Sequence, residues 1–338
     1  MAAMTELQQL LDEAGRTLGP GLYGLVTDGG EVVFSGSTGV ADLRSRRAIE
    51  AQDRFRIGSV TKVYVATVAL QLISEGVLQL SDPVEKWLPG LIPDGEQTTV
   101  EHLLRMRSGL PHYIDTLYGS PIDFSLFQQY WPPEELVRAS LRTPGRTAPG
   151  AQYQYSSTDY VVLGLILERA TGRRADVLLW ERIFAPLQLD ATSLPIVDPQ
   201  IRGPHASGYV KLPGQDFFDC TRITPSEAFT AGAIVSTPAD VARFLDALLG
   251  GDLLDAERTA LMLDCREVVD GARGRGVGIV CYDIGGVTAY GHQGGVAGYR
   301  TTALRTLEGR CVVLYENAYD ATEPMPPDLP FVTAALQA

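Results

Sequence analysis

The stretch of sequence that decides the fold runs from Phe55 to Ile73 and reads FRIGSVTKVYVATVALQLI. It begins like a short strand and continues with apolar residues at helical spacing, so it predicts a strand that runs directly into a helix. Ser59 lies at the junction, and Lys62 follows three residues later in a chain that contains only three lysines. Gly76 is a suitable point for the helix to end. The apolar positions at helical spacing are Val65, Val68, Ala69, Leu72 and Ile73.

Ser59 and Lys62 form a Ser-x-x-Lys pair, in which two residues three positions apart share one face of a helix. A serine at the first turn also lies beside helix N–H groups, which stabilise developing negative charge. A lysine in a cleft lined by apolar or cationic groups has a lowered pKa and can act as a base. The pair therefore predicts a nucleophile with its base. The alternative is a chance Ser-x-x-Lys on a solvated helix turn.

The composition of the chain is that of an ordinary globular protein, with 338 residues, 45% hydrophobic and 20% charged. The formal net charge of -13 argues against partners such as nucleic acid or an anionic membrane surface. No run of about 18 apolar residues occurs, and the first residues lack the pattern of a secretory signal, so we expect a cytoplasmic protein. The four cysteines have no Cys-x-x-Cys spacing and His292 has no second histidine at ligand spacing, so we expect no metal and no cofactor.

Strand-like segments lie at both ends of the chain, and helix-like segments lie between them. Two β-rich runs around Asp28-Gly29-Gly30 predict a hairpin, and further strand patterns follow residue 276. We therefore expect an α/β (α+β) fold, with one antiparallel sheet built from the N- and C-terminal segments, flanked by helices, and an inserted helical region. Residues 1–80 and 225–338 would form the sheet domain, and residues 81–224 the mostly helical domain.

Two further segments carry candidate chemistry. In GAQYQYSSTDY, Tyr155 and Ser157 lie on a polar loop before an apolar helix, where a tyrosine can relay protons if cations lower its pKa. In YGHQGGVAGYR, the glycines around His292 indicate close approach of a ligand to a strand, whose N–H groups could form half of an oxyanion hole. The alternatives are a tyrosine packed on the surface, easily confused with Tyr153, and a histidine at a strand edge.

In this order, FRIGSVTK, YSS and HQG resemble the three motifs of the class C β-lactamase and D-alanyl-D-alanine carboxypeptidase group, whose usual forms are SxxK, YxN and KTG or HxG. This serine β-lactamase-like family also contains esterases, D-amino-acid amidases and acyltransferases. Further segments resemble the family's sequence pattern in the same order, so the resemblance covers nearly the whole chain. They are LPGLIPD, LLRMRSGL, AGAIVSTPADVARF and GHQGGVAGY. It implies a β-lactamase/transpeptidase-like fold.

The resemblance also implies roles residue by residue. Ser59 would be the acyl-accepting nucleophile and Lys62 its proton acceptor. Tyr155 would relay the proton to the leaving group or the incoming acceptor, with His292 as its electrostatic support. The oxyanion hole would consist of the backbone N–H groups of Ser59 and Gly295. The other substrate-binding candidates are Ser157, Gln293 and Gly294.

Two departures from the family pattern concern the substrate. Ser157 stands where the family usually has asparagine, and a hydroxyl lacks the combined donor and acceptor reach of an amide. Gln293 and Gly295 replace the threonines with which carboxypeptidase-like members grip a substrate carboxylate. The segment GVGIVCYDI, before His292, contains no arginine to replace them. These departures disfavour β-lactams and peptide C-termini, both of which carry a carboxylate.

We therefore expect a serine acyl-enzyme that cleaves a small-molecule ester or amide lacking a terminal carboxylate. The alternative with the same chemistry is a biosynthetic acyltransferase that passes the acyl group to an amine or alcohol. A D-alanyl-D-alanine carboxypeptidase, a β-lactamase and a non-catalytic binder are less favoured, and the absence of Gly-x-Ser-x-Gly excludes an α/β-hydrolase. The aromatic residues between Tyr113 and Trp131 either line the substrate pocket or form the core of the inserted region.

Overall fold

The computed structural model of the protein describes residues 2–117, 124–211, 216–269, 272–320, 326 and 329–338. Its α-helices are α1 (Ala2–Ala14), α2 (Thr61–Ser74), α3 (Val84–Trp87), α4 (Val100–Leu104), α5 (Ile114–Leu117), α6 (Pro133–Leu141), α7 (Ser157–Thr171), α8 (Ala175–Leu179), α9 (Phe229–Gly232), α10 (Pro238–Gly250), α11 (Ala256–Met262) and α12 (Pro330–Gln337). Its strands are β1 (Gly21–Asp28), β2 (Glu31–Gly39), β3 (Phe55–Arg56), β4 (Tyr209–Lys211), β5 (Phe218–Asp219), β6 (Val235–Ser236), β7 (Glu267–Val269), β8 (Ala272–Arg275), β9 (Val280–Ile284), β10 (Val287–Val296), β11 (Tyr299–Arg305), β12 (Arg310–Glu316) and β13 (Ala318–Asp320).

The central feature is an antiparallel sheet with the strand order β2-β1-β12-β11-β10-β9-β8-β7. Strand β1 pairs with both β2 and β12, so the N-terminal hairpin is joined directly to the C-terminal strands. Gly29 and Gly30 close the hairpin with positive φ angles, which glycine adopts without a Cβ clash. The prediction of one antiparallel sheet built from the two ends of the chain and flanked by helices is confirmed.

Strand side chains point alternately to the two faces of this sheet, so each face carries apolar side chains. Helices cover both faces and bury these side chains. On β12, Val312 and Leu314 face a cluster that includes residues of α1 and α12. Val313 and Tyr315 face the larger core, which contains residues of α2, α7 and α10. The two terminal helices therefore cover one face, and the helix that carries the Ser-x-x-Lys pair covers the other.

The region from residue 81 to residue 224 contains α3 to α8 and two short strands as well. Strands β4 and β5 form a separate small sheet with β13, which pairs in parallel with β4. The regular secondary structure described in the inserted region is therefore mostly helical, and the small sheet ties this region to β13 near the C-terminal end. The division into domains at 1–80 with 225–338 and at 81–224 stays a prediction.

Helix α2 is buried along most of its length, which is typical of a helix that is apolar on all sides. At 14 residues it is shorter than the roughly 20 that a bilayer requires. No other helix in the described ranges is long and apolar enough to cross a membrane either. Lys62 is thus an ionisable group inside a core helix, which marks it as a candidate for function. The cytoplasmic location expected from the sequence stays a prediction.

Candidate active site

Three segments that are distant in the sequence meet at the start of α2. A 3-10 turn, Gly58–Val60, carries Ser59 from β3 into the helix. Strand β10 passes directly beside this turn, and the loop before α7 brings in Tyr155. A methyl group on Gly294 would lie 1.9 Å from the Ile57 carbonyl oxygen and 3.1 Å from the Ser59 amide nitrogen. Glycine at this position therefore permits the close approach of β10 to the serine.

Ser59 is the hub of the hydrogen bonds in this cleft. Its Oγ accepts a hydrogen bond from Lys62 Nζ at 2.9 Å and lies 2.7 Å from the Tyr155 hydroxyl oxygen. Lys62 also donates to the carbonyl oxygen of Ala231 at 2.7 Å, which fixes the position of the amine. Tyr153, by contrast, directs its hydroxyl to a methionine sulfur. The structure brings the serine, the lysine and Tyr155 together and distinguishes that tyrosine from its neighbour.

The Lys62 side chain is fully buried, and this burial is the main cause of a lowered pKa. The charge of Arg275 lowers the pKa further, while Tyr155 opposes the shift. A lysine with a lowered pKa is neutral at lower pH than an exposed one, and a neutral amine can accept a proton. Lys62 therefore has the environment that a base requires.

Tyr155 is held in a balance between burial and positive charge. Burial, the largest single cause, would raise its pKa, but the Lys62 charge, hydrogen bonds with Ser59 and Lys62, and the Arg275 charge together lower the pKa below 10. A phenol in such a position can give up a proton and take it back during a reaction. The geometry suits the relay that the resemblance implies.

His292 lies beside Tyr155, with the ring centroids 6.4 Å apart. Burial above all, and then the charges of Arg275 and Lys62, lower the pKa of His292 to about 3. Its Nδ1 lies against the carbonyl oxygen of Gln293. The ring is therefore neutral at physiological pH, and any support that it gives to Tyr155 comes from a neutral imidazole and not from a full positive charge.

The backbone N–H groups expected to form the oxyanion hole lie on two segments that approach each other closely. Gly58 has a φ of +53°, and a Cβ on it would lie 2.7 Å from the amide nitrogen of Gly295. Ser59 and Gly295 both border each of two cavities that open at this point. Two such donors beside a nucleophilic oxygen suit the stabilisation of a developing oxyanion, a role that stays a prediction for these groups.

The two cavities that open from Ser59 differ in chemistry. The first has a volume of about 320 Å³ and a largely apolar lining that also includes the acidic residues Asp115 and Glu227. The second, of about 710 Å³, is bordered by Ser59 and by mostly polar groups, which are His112, Tyr155, Ser157, Arg275, Tyr282, His292, Gln293, Arg300, Thr301 and Tyr319. Ser157 borders both cavities, while Gln293 and Gly294 border the second. In the described ranges, no group of three or more His, Cys, Asp or Glu residues is arranged to hold a metal ion.

Aromatic residues between Tyr113 and Trp131 line a cavity and also form part of the core, so both alternatives expected from the sequence apply. Tyr113 is buried, borders the first cavity and donates its hydroxyl to the Glu227 carbonyl oxygen at 2.5 Å. Phe127 borders the same cavity and packs in a small core cluster. Residues 118–123 of this segment lie outside the described residues.

Sequence reasoning missed two residues of the cleft. The Nδ1 of His112 accepts a hydrogen bond from the Ser157 amide at 3.1 Å, and burial, with the Lys62 charge, lowers the His112 pKa to about 4. Arg275 ends β8, which lies just before the segment GVGIVCYDI that was searched for an arginine. The segment GVGIVCYDI contains no arginine, as noted from the sequence, but Arg275 immediately before it borders the second cavity.

The fold and the cleft define a serine acyl-enzyme class, and comparison with known proteins identifies the family. The family model described as Beta-lactamase matches residues 7–337, so the chain belongs to that family. The esterase EstB of Burkholderia gladioli is 30% identical in an alignment of 256 positions that covers 68% of this chain and 65% of that protein.

Two solved structures are similar over nearly the whole chain. A D-stereospecific amidohydrolase from Streptomyces sp. has a TM-score of 0.88 and 30% identity, with 98% of each chain covered. The D-amino acid amidase from Ochrobactrum anthropi SV3, complexed with D-phenylalanine, has a TM-score of 0.88 and 27% identity, covering 100% of this chain and 98% of that one. The predicted family, fold class and enzymatic nature are confirmed, and amide or ester hydrolysis through an acyl-serine is the chemistry that such relatives support.

Proposed function

We propose that the protein hydrolyses amide or ester bonds of small acyl donors through a covalent intermediate on Ser59. The observation that carries this proposal is the pair of contacts at Ser59 Oγ, 2.9 Å from Lys62 Nζ and 2.7 Å from the Tyr155 hydroxyl. Nucleophile, base and proton relay thus lie within hydrogen-bond reach, as acyl transfer requires.

In the proposed acylation step, Ser59 Oγ attacks the substrate carbonyl carbon while its proton passes to the neutral amine of Lys62. The N–H groups of Ser59 and Gly295 receive the negative charge on the carbonyl oxygen, and each such donor typically lowers the barrier by about 2.7–4 kcal/mol. Tyr155 gives its proton to the leaving amine or alcohol as the bond to the acyl carbon breaks, and Lys62 returns the serine proton to Tyr155. Water then attacks the acyl-serine by the same route, releasing the acid and restoring Ser59.

The proposed acyl donor has an apolar side chain and carries no carboxylate on its acyl side. The first cavity has a largely apolar lining, and its carboxylates, Asp115 and Glu227, would repel an anion and attract an ammonium group. An acyl group derived from an amino acid, with its amine free, satisfies both features. The amidase from Ochrobactrum anthropi, which has been solved with D-phenylalanine bound, supports this substrate class.

The acyltransferase considered from the sequence differs only in whether water or another acceptor attacks the acyl-serine. No contact in the described part of the cleft favours that acceptor over water, so hydrolysis is the function proposed. The lifetime of the acyl-enzyme in water distinguishes a hydrolase from an acyltransferase, because a transferase must keep its intermediate until the acceptor arrives.

The test is intact-mass spectrometry of protein quenched seconds after mixing with D-phenylalanine p-nitroanilide or p-nitrophenyl butyrate. We expect an added acyl mass in the wild type and none in Ser59→Ala, with product release in water. Tyr155→Phe is expected to lose about 10²–10⁴-fold in kcat/KM, the usual range for a general acid–base group. The matched variant Tyr153→Phe is expected to stay within a few-fold of the wild type. Turnover that survives Ser59→Ala would contradict the proposal.

A further inference from the structure

Arg275 places a second cation beside the proton-transfer groups of the cleft. Its guanidinium carbon lies 5.6 Å from the ring centroid of Tyr155 and 5.4 Å from that of Tyr153. Cation–π attraction to the two rings favours this position. The side chain borders the second cavity together with Ser59 and His292.

Within the described part of the chain, Arg275 has no carboxylate in ion-pairing distance, and its Nε is buried without a hydrogen-bond partner. Arg300, which borders the same cavity, differs in this respect because it pairs with Glu316 at 3.7 Å. An uncompensated charge in a partly buried position is costly. Such groups cluster at functional sites, where the charge acts on its neighbours.

The proposed relay requires a positive charge that does not change during the reaction. Tyr155 becomes a phenolate when it hands its proton to the leaving group, and Lys62 alternates between amine and ammonium. Burial makes His292 neutral at physiological pH. Arginine stays protonated in proteins at all ordinary pH values. Arg275 is therefore the cation of constant charge beside this tyrosine.

We propose that Arg275 is a positioning residue that sets the charge balance of Tyr155 and Lys62, the part that the resemblance assigned to His292. The inference rests on the proposed function and adds to it the group that stabilises the transient phenolate. When the Tyr155 proton leaves with the product, the new negative charge on the phenol oxygen lies in the field of Arg275 and Lys62. The proton that Lys62 took from Ser59 then restores Tyr155.

Among the described residues, the other titratable groups around the Tyr155 ring leave Arg275 and Lys62 as its cations. Burial lowers the pKa of His112 to about 4 and that of His292 to about 3, so both rings are neutral near pH 7. Burial also raises the pKa of the Asp159 carboxyl on α7 well above its ordinary value, which disfavours a negative charge there. The remaining titratable neighbours of Tyr155 are phenols, namely Tyr113 before α5, Tyr153 on the same loop, Tyr160 on α7 and Tyr282 on β9.

The test is the pH dependence of kcat/KM for the neutral ester p-nitrophenyl butyrate in the wild type, Arg275→Gln and Arg275→Lys. The Arg275 guanidinium carbon lies 5.6 Å from the Tyr155 ring centroid. By Coulomb's law with an effective dielectric constant near 20, removing a unit charge at this distance changes the pKa of a neighbouring group by about two units. Because the charge of Arg275 lowers the pKa of both Tyr155 and Lys62, its loss raises them. We expect the rising limb of the profile to move up by about one to two pH units in Arg275→Gln, with most of the rate recovered at high pH. Arg275→Lys is expected to lie close to the wild type.

If Arg275→Gln lowers kcat/KM equally at every pH and the rising limb stays at the wild-type pH, Arg275 has a purely structural role and the inference is overturned. A rise in KM confined to a carboxylate-bearing ester, again without a shift of the limb, would overturn it in favour of an anion subsite. The matched control is Arg300→Gln, which is expected to leave the limb at the wild-type pH whatever its effect on rate, because Arg300 pairs with Glu316.

Failure of the proposed function is distinguishable from failure of this inference. If the wild type does not turn over the ester, the proposed function fails, and the ionisation of Tyr155 is then measured directly. The difference in ultraviolet absorbance between wild type and Tyr155→Phe during a pH titration gives that ionisation without substrate. The same difference in the Arg275→Gln background is expected about one to two pH units higher. An unchanged midpoint, in protein with a native circular dichroism spectrum, would overturn the inference.

Discussion

Two buried histidines of the cleft are expected to make the folded protein sensitive to mild acid. Burial is the main cause that lowers the pKa of His112 to about 4 and that of His292 to about 3. In the unfolded chain both return to an ordinary value of about 6.5. Between these values the unfolded state binds more protons than the folded state, so the free energy of unfolding falls as the pH drops below about 6.5.

The size of this effect at pH 5 depends mainly on the unfolded value, because both folded values lie lower. The 1.5-unit difference between pH 5 and about 6.5 corresponds to about 2 kcal/mol for each histidine, and so about 4 kcal/mol for both. Domains are typically stable by only about 5–15 kcal/mol, so a loss of this size is readily measured.

The assay is urea denaturation at pH 8 and pH 5 for the wild type, His112→Asn, His292→Asn and the double variant. Each single variant is expected to lose about 2 kcal/mol less than the wild type between the two pH values, and the double variant about 4 kcal/mol less. Comparing the two pH values within one variant cancels the packing cost of the substitution. It also cancels the opposite contribution of buried acids such as Asp159, whose pKa is raised. Equal losses in all four proteins would refute the reasoning.

Two further predictions concern single substitutions. The Tyr64 hydroxyl is fully buried and has no hydrogen-bond partner among the described residues. Tyr64→Phe is therefore expected to raise the free energy of unfolding by about 1 kcal/mol in urea denaturation, and a loss of stability would contradict this. Gly294→Ala would bring a methyl group within 1.9 Å of the Ile57 carbonyl oxygen, so we expect it to move β10 and lower kcat by about 10²-fold or more. The control is Gly250→Ala, whose methyl group would have no described atom within 4 Å and which is expected to keep normal kcat. Normal kcat in Gly294→Ala would show that β10 tolerates the displacement.

Local sequence signals predicted those parts of the cleft whose placement depends on neighbours in the chain. Ser59 and Lys62 share one helical turn, so their spacing was enough to pair them, and the glycines near His292 marked the close approach of β10. Tyr155 was found through the order of motifs and not through its spacing. Its contact with Ser59 joins residues nearly a hundred positions apart.

The charge state of the cleft could not be predicted in the same way. Arg275 lies on β8, whose residues, Ala-Arg-Gly-Arg, have no apolar alternation, so no strand was expected there. Its approach to Tyr155 depends on the pairing of β8 with β9. The neutrality of His112 and His292 likewise results from burial, which is a property of the packed protein and leaves no mark on the sequence.

The pairing of β1 with β12 has a consequence for the synthesis of the protein. Leu22 lies opposite Glu316, so the sheet cannot close until the ribosome has made the chain as far as residue 316. Contacts between such distant residues slow folding and leave strand edges open to wrong pairing in the meantime. A nascent chain has Ser59 and Lys62 from an early stage but lacks the strand that supplies Gly295. We therefore expect the nucleophile to remain inactive on the ribosome and to become reactive only once the last strands have joined the sheet.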